Sequence, residues 1–372
     1  MSSNSIKQSN KETQFIKASF IKRLNRFVGI VTIHSKEQSV YIPNTGKLSE
    51  LLIPGREVIL VPSTGKYTYK LLYVMYDNQP IMIDSIYSNQ LFKNLLNNKS
   101  IPKLKSIEII KQEPAYKNHR FDFLIKHNNS EKFIELKSCT LGWKKIASFP
   151  DAESKRAVEH IKALAETENG ILVFLILHSN IKVFVPNYHR DFEFYKTLKQ
   201  YRNKIKIYAF AVQHAKNFEI SGVKPVDIVI PDVTPGGKYL ILLYNSRKQK
   251  IEVGKLGEVD FPKGYYLYIG SSKINVFKRI AYHKRKKINK HWHLDYITEN
   301  LKITADIPLI NCNKSECFIT STLETFDGKR VTNFGSSDCD CYSHLLYFKK
   351  NPLHNDELWS QIFTFQLGQY LS

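Results

Sequence analysis

Asp122, Glu135 and Lys137 are the residues of this chain whose types and spacing could do chemistry together. In the stretch from Arg120 to Lys137, Phe121, Phe123 and Ile125 alternate with Arg120, Asp122 and Leu124. Phe133, Glu135 and Lys137 alternate in the same way with Ile134 and Leu136. This is the period of two strands. Asn128-Asn129 offers a two-residue turn between them, because Asn tolerates positive φ. Counting back from that turn, 127 faces 130, 122 faces 135 and 120 faces 137. Opposed residues share a face, so Arg120, Asp122, Glu135 and Lys137 are expected on one patch. Two close carboxylates call for a cation, and Mg2+ (or Mn2+), shared with substrate phosphate oxygens, fits them. The lysine would orient water or stabilise charge on the phosphate. The bland alternative is an ion-paired edge hairpin.

The rest of the chain must position that patch. Its 372 residues imply two or three domains. The excess of 55 Lys and Arg over 34 Asp and Glu, a net +21, is spread along the chain. It points to a polyanionic partner, nucleic acid before an anionic membrane. No apolar run is long enough to span a bilayer. The polar start lacks a signal core, and five cysteines suit a reducing cytoplasm.

Residues 1–15 read as a disordered polar tail. Five short strands (27–34, 39–42, 57–61, 67–75 and 80–83), separated by Gly, Pro and Asn turns, suggest a small OB-type barrel over 16–84. A mixed α/β domain is expected over 85–224. It holds an amphipathic helix at 86–96, a helix from Asp151 to about Glu166 capped by Asp151, and a buried strand at 171–177. Residues 225–236 read as a linker. Residues 237–348 form a third α/β unit with strands at 239–243, 265–270 and 306–310 and a basic helix from Val276. A packing helix is expected in 349–372.

Pro43-Asn44-Thr45-Gly46, Arg120-Phe121-Asp122-Phe123, Glu135-Leu136-Lys137 and Phe149-Pro150-Asp151-Ala152 make residues 18–222 resemble the sugar fermentation stimulation protein (SfsA) family. The resemblance implies an OB-like domain on a PD-(D/E)xK nuclease-like domain, with DNA binding. It assigns metal and catalysis to Asp122, Glu135 and Lys137, adds Glu113 and the polar position Asn89, and places Asn44, Arg120 and Arg156 toward nucleic acid. His119 and Ala157 depart from the family pattern, which has Ser and Gly there.

Residues 236–348 resemble a GIY-YIG-like domain of unclear function. Gly237-Lys238-Tyr239 and Tyr268-Ile269-Gly270 stand for its two motifs. The resemblance implies that Tyr239 or Tyr268 handles a water, Arg279 neutralises phosphate and Glu316 holds the metal. His283, His291 or His293 would serve beside them. Lys284, Arg285, Lys286 and Lys287 would track phosphates. Cys312, Cys317, Cys339 and Cys341, with His291, His293 and His344 nearby, could make a zinc site. The spacing, with C-x-C instead of C-x2-C, argues against zinc and for buried thiols.

The expectation is an α+β multidomain protein: an OB-like β-barrel, a PD-(D/E)xK nuclease-like mixed α/β domain and a GIY-YIG-like α/β domain. Its expected function is Mg2+-dependent hydrolysis of DNA, with RNA as a less favoured substrate and homo-oligomers allowed. The rival is a non-catalytic DNA-binding regulator of sugar metabolism with vestigial nuclease folds.

Overall fold

The computed structural model describes residues 14–215, 218–285, 289–336 and 339–371. Among them, no helix is long and apolar enough to cross a membrane. Most of the expected tail lies outside the described residues. Phe15, counted in that tail, instead packs on Phe218 with ring centroids 5.4 Å apart.

Five strands, Ile16–Asn25, Val28–Ile33, Lys36–Tyr41, Glu57–Pro62 and Tyr69–Tyr76, close into an OB barrel. Ile16–Asn25 pairs on both sides, and Tyr41 meets Lys70 to shut the ring. Ala18 and Phe20 alternate inward to join Val31, Val40, Val58 and Leu60. The expected strand count is therefore corrected. Ile16–Asn25 is a barrel strand that the sequence reading passed over. Gln79–Met82 is a sixth strand, added beside Tyr69–Tyr76.

The second domain is a six-stranded mixed sheet with Ile171–Ile176 near its centre. That strand runs parallel to Ser130–Cys139 on one side and to Lys206–His214 on the other. All six of its residues are buried because both faces are covered. Leu172, Phe174 and Ile176 meet the helices Lys155–Ala165 and Phe192–Tyr201. Ile171, Val173 and Leu175 meet the helix Ser85–Asn97 and the outside of the barrel. Ser154, not Asp151, caps Lys155–Ala165, accepting from Ala157 N at 3.2 Å. Asp151 turns toward the barrel instead, and a Cβ at Gly46 would overlap its carboxylate.

The expected linker is not loose. Ile220–Pro225 extends the central sheet, and Asp227–Ile228 pairs with Val183–Pro186. The third domain carries a five-stranded sheet ordered Lys302–Ile310, Gly237–Asn245, Gly264–Ser272, Leu345–Phe348, Lys329–Arg330. Its core is continuous with the second domain through Leu141, Trp143, Ile146, Val185 and Tyr195. The helix Asp356–Leu367 lies in that junction, where Trp143 Nε1 donates to Ser360 Oγ at 3.1 Å. Buried His189 pins the junction. Its Nε2 donates to Gln366 O (2.9 Å) and its Nδ1 accepts from Ile310 N (3.0 Å).

Burial drives the His189 pKa down to about 3. The folded chain thus keeps this ring neutral where the unfolded chain would protonate it. Its contribution to stability is intact above about pH 6.5 and shrinks as pH falls toward 3. His189→Ala would leave one buried donor and one buried acceptor unpaired, at a cost of about 2–4 kcal/mol. Urea titrations at pH 7.5 and 5.5 check both points: the variant should be less stable at pH 7.5 and should lose less between the two pH values.

Candidate active sites

The turn Asn128-Asn129 has φ of 52° and 62°, and His127 faces Ser130 as the count from the sequence requires. The ladder ends where Phe123 faces Ile134. Beyond it the chain peels away, so the Leu136 N–H has no strand partner there. The Asp122 carboxylate supplies one: Oδ2 accepts from Leu136 N at 2.7 Å and Oδ1 from Asn89 Nδ2 at 2.9 Å. Glu135, next in register, is 3% exposed. Its Oε1 accepts from Lys137 Nζ (2.5 Å) and from His160 Nδ1 (2.7 Å). Glu135 Oε2 is buried with no hydrogen-bond partner among the described residues. His160 comes from Lys155–Ala165, and its Nε2 accepts from Arg156 Nε at 3.4 Å.

The electrostatics separate the two acids. Burial, and then the Glu135 charge, push Asp122 up to about 6. Burial acts on Glu135 in the same direction, but the His160 hydrogen bond and the Lys137 charge outweigh it and leave its pKa below the usual value. The pair thus combines an anion fixed by two cationic or donor groups with a second acid that ionises near neutrality.

Other expected residues fall elsewhere. Arg120 does not face Lys137, because it belongs to a separate two-residue pairing with Ala115. It lies exposed, paired with Glu113 at 3.4 Å. The Glu113 side chain is likewise turned to that pair, and only its backbone N–H touches Asp122, donating to its carbonyl at 2.9 Å. Asn44 is buried: its amide donates to Ile83 O and accepts from Gly46 N, so it shapes the turn and presents nothing to a nucleic acid. His160 was not singled out in the sequence. The available signal was a histidine on the buried stripe of Ala157, Ile161 and Leu164.

In the third domain, Tyr239, Tyr268, Arg279 and Glu316 line one cleft, together with His291, Trp292 and His293. Tyr239 lies under Gly270, where a Cβ would stand 2.5 Å from its ring. Tyr239 Oη donates to His283 Nε2 at 2.9 Å, and His283 Nδ1 faces Asp295 Oδ1 at 3.3 Å. His283 is the buried middle of a tyrosine–histidine–aspartate chain. Burial drives the Tyr239 pKa well up, so the phenol stays protonated at neutral pH. The Arg279 guanidinium stacks on Trp292, 4.2 Å from the ring centre. His293 holds the neighbouring loop, its Nδ1 accepting from Gly335 N.

Lys284 and Arg285 are exposed, and Lys284 pairs with Asp306. Lys286 and Lys287 lie outside the described residues. The expectation of separate buried thiols fails for three of the cysteines. Cys317 and Cys341 form a disulfide, and Cys339 is exposed beside them.

Comparison with known proteins assigns these units to families. The SfsA N-terminal OB domain matches residues 21–83, and the sugar fermentation stimulation protein RE domain matches residues 86–218. A domain of unknown function, DUF123, matches residues 238–365. A sugar fermentation stimulation protein homolog of Methanosphaera stadtmanae is 36% identical over 208 residues, covering 52% of this chain and 85% of that protein. The Clostridium tetani homolog is 35% identical over 223 residues, covering 58% and 96%. The solved structure of Pyrococcus furiosus SfsA in complex with Ca2+ is similar at a TM-score of 0.55 and 30% identity, over 58% of this chain and 96% of that one. Through its first two domains, the chain belongs to the sugar fermentation stimulation protein family.

Proposed function

We propose that the protein is a metal-dependent hydrolase of nucleic-acid phosphodiester bonds, with DNA as the favoured substrate and the Asp122/Glu135/Lys137 cluster as its main site. The observation that carries this reading is Glu135 Oε2, a buried carboxylate oxygen with no hydrogen-bond partner among the described residues, beside a second acid. An ion-paired hairpin kept for stability alone would satisfy that oxygen. A hard divalent cation suits it, and Asp122 with Glu135 Oε2 would hold one. The Pyrococcus furiosus relative was solved in complex with Ca2+, which supports a divalent cation as a ligand of this chain. When bound, Mg2+ or Mn2+ supplies charge neutralisation at phosphate and acidification of water.

The chain's own groups do the rest. His160 and Lys137 both hold Oε1, which fixes the carboxylate and leaves Oε2 for the cation. Lys137 has two further N–H donors to place on an attacking water or on a phosphate oxygen. The water oxygen bonds to phosphorus, one P–O ester bond breaks, and the departing oxygen takes up a proton. Arg156, exposed and bonded to His160, would meet an adjacent phosphate. The net charge of +21 supports a polyanionic substrate.

The third-domain cleft supports a second site of the same reaction class. Tyr239 would take a proton from the attacking water as it hands its own to His283, which Asp295 keeps in the accepting tautomer, so the phenol itself stays neutral. Arg279 would meet phosphate, and Glu316 is the carboxylate for a cation.

Cleavage of single-stranded, duplex and branched DNA at low salt with Mg2+ or Mn2+ tests the proposal. Lys137→Ala is expected to lower cleavage about 100- to 1000-fold. Loss with Arg279→Ala alone would move the chemistry to the third domain. Binding without cleavage of any substrate would leave the regulator.

Asp122 must be ionised to hold a cation, and its pKa is about 6. Mn2+ affinity, read by calorimetry, should therefore weaken about tenfold per pH unit below that value and level off above pH 7. Asp122→Asn should bind Mn2+ weakly at every pH, without that slope.

Gly270→Ala should displace the Tyr239 ring and remove whatever cleavage Arg279→Ala removes, while leaving Lys137-dependent cleavage intact. Assaying it in both variant backgrounds gives the answer.

A further inference from the structure

Cys317, Cys339, Cys341 and His344 come from two separate parts of the third domain, yet one ligand atom from each lies within 4.8 Å of all the others. Cys317 sits in the first turn of Glu316–Glu324, and His344 directly precedes the strand Leu345–Phe348. Cys317 Sγ stands 3.7 Å from Cys339 Sγ, and each of these sulfurs stands 3.5 Å from His344 Nε2. These spacings have a chemical meaning. With Zn–S near 2.3 Å and Zn–N near 2.0–2.1 Å, the edges of a zinc tetrahedron are about 3.8 Å between sulfurs and about 3.5 Å between sulfur and nitrogen. Three sides of the cluster already have those lengths. The fourth ligand, Cys341, is drawn to Cys317 by the disulfide.

We propose that in its reduced form this cluster is a structural Zn2+ site with Cys317, Cys339, Cys341 and His344 as ligands. A dithiol reductant gives two electrons and two protons to the Cys317–Cys341 bond and becomes a disulfide itself. The three thiols then release three protons on binding Zn2+, while neutral His344 contributes Nε2. Four protein ligands leave no open position, so the ion does no chemistry. It ties the start of the helix bearing Glu316 to the segment after Gly335. Gly335 abuts Tyr268 and donates to His293. The cluster is thus a positioning device for the cleft, and its existence does not depend on the cleft being a nuclease. The pattern Cys339-x-Cys341-x2-His344 lacks C-x2-C spacing, which is why the sequence argued against zinc.

The test uses the full chain, purified under a phosphine reductant with zinc supplied. Metal analysis should give about one zinc per chain. Cobalt substitution should give the intense visible bands of a tetrahedral ion and near-ultraviolet thiolate-to-cobalt charge transfer, which the carboxylates of Asp122 and Glu135 cannot produce. Cys339→Ser and His344→Asn should each bring zinc close to zero, whereas Cys312→Ser should retain it. Cys339 is exposed, so its variant tests the ligand without emptying a core. Far-ultraviolet circular dichroism confirms that each variant is folded. Reduced, folded protein with no zinc and no cobalt–thiolate signature would overturn the proposal. So would zinc that survives in Cys339→Ser.

Discussion

Two carboxylates buried side by side repel each other, and low polarity around them magnifies the repulsion. The second domain is arranged around that constraint. Glu135 is kept ionised by Lys137 and His160, which approach from its own strand and from the helix packed over it. Asp122 is kept in place by a backbone N–H that the sheet leaves unpaired and by Asn89 from the helix on the other face. Three elements thus converge on one acidic pair. The barrel contributes indirectly, because its outer residues Ile59 and Tyr73 share a core with Leu91 and Leu95 of the Asn89 helix. Moving any of these parts would separate the acids or leave a charge buried without a partner.

The third domain arranges its cleft around a buried tyrosine and a stacked arginine. Its tyrosine is too deeply buried to ionise, so its hydrogen bonds run inward, through His283 to Asp295. Arg279 is held differently, by stacking its flat guanidinium on Trp292, which leaves the edge N–H groups available. The two clefts are therefore held in shape by different means. One balances formal charges, and the other aligns dipoles under a glycine.

Local pattern carried much of this architecture. Period-two alternation and an Asn-Asn turn were enough to set Asp122 opposite Glu135, because a hairpin's register follows from its turn. Arg120 escaped the same count because the pairing stops at Phe123, and nothing in the residues announces where a strand lets go. Ile16–Asn25 lay inside the expected barrel range but was not recognised as a strand, because its inward residues Ala18 and Phe20 are spaced among Lys17, Lys22 and Arg23. Asp151 resembled a helix cap in sequence, but the helix begins four residues later at Lys155, while Asp151 answers to the barrel. His160 needed tertiary structure, since Glu135 is 25 residues away, and so did the choice of ligands around Cys317, whose cysteines the sequence offered but whose spacing spoke against zinc, Cys339 being 22 residues away. Through-space chemistry of that kind leaves little trace in spacing.

The shared core between the second and third domains makes one depend on the other. Clostridium tetani and Pyrococcus furiosus relatives are matched over 96% of their own lengths by 58% of this chain, so they have no counterpart of the third domain. In this chain that domain covers Leu141, Trp143, Ile146 and Tyr195. Open to water, Trp143 and its aliphatic neighbours would form a contiguous apolar patch of the kind that invites aggregation. The third domain therefore acts as a roof as well as a cleft: cutting it away from this chain would not leave a well-behaved two-domain remainder, because the second domain's surface here is built to be covered.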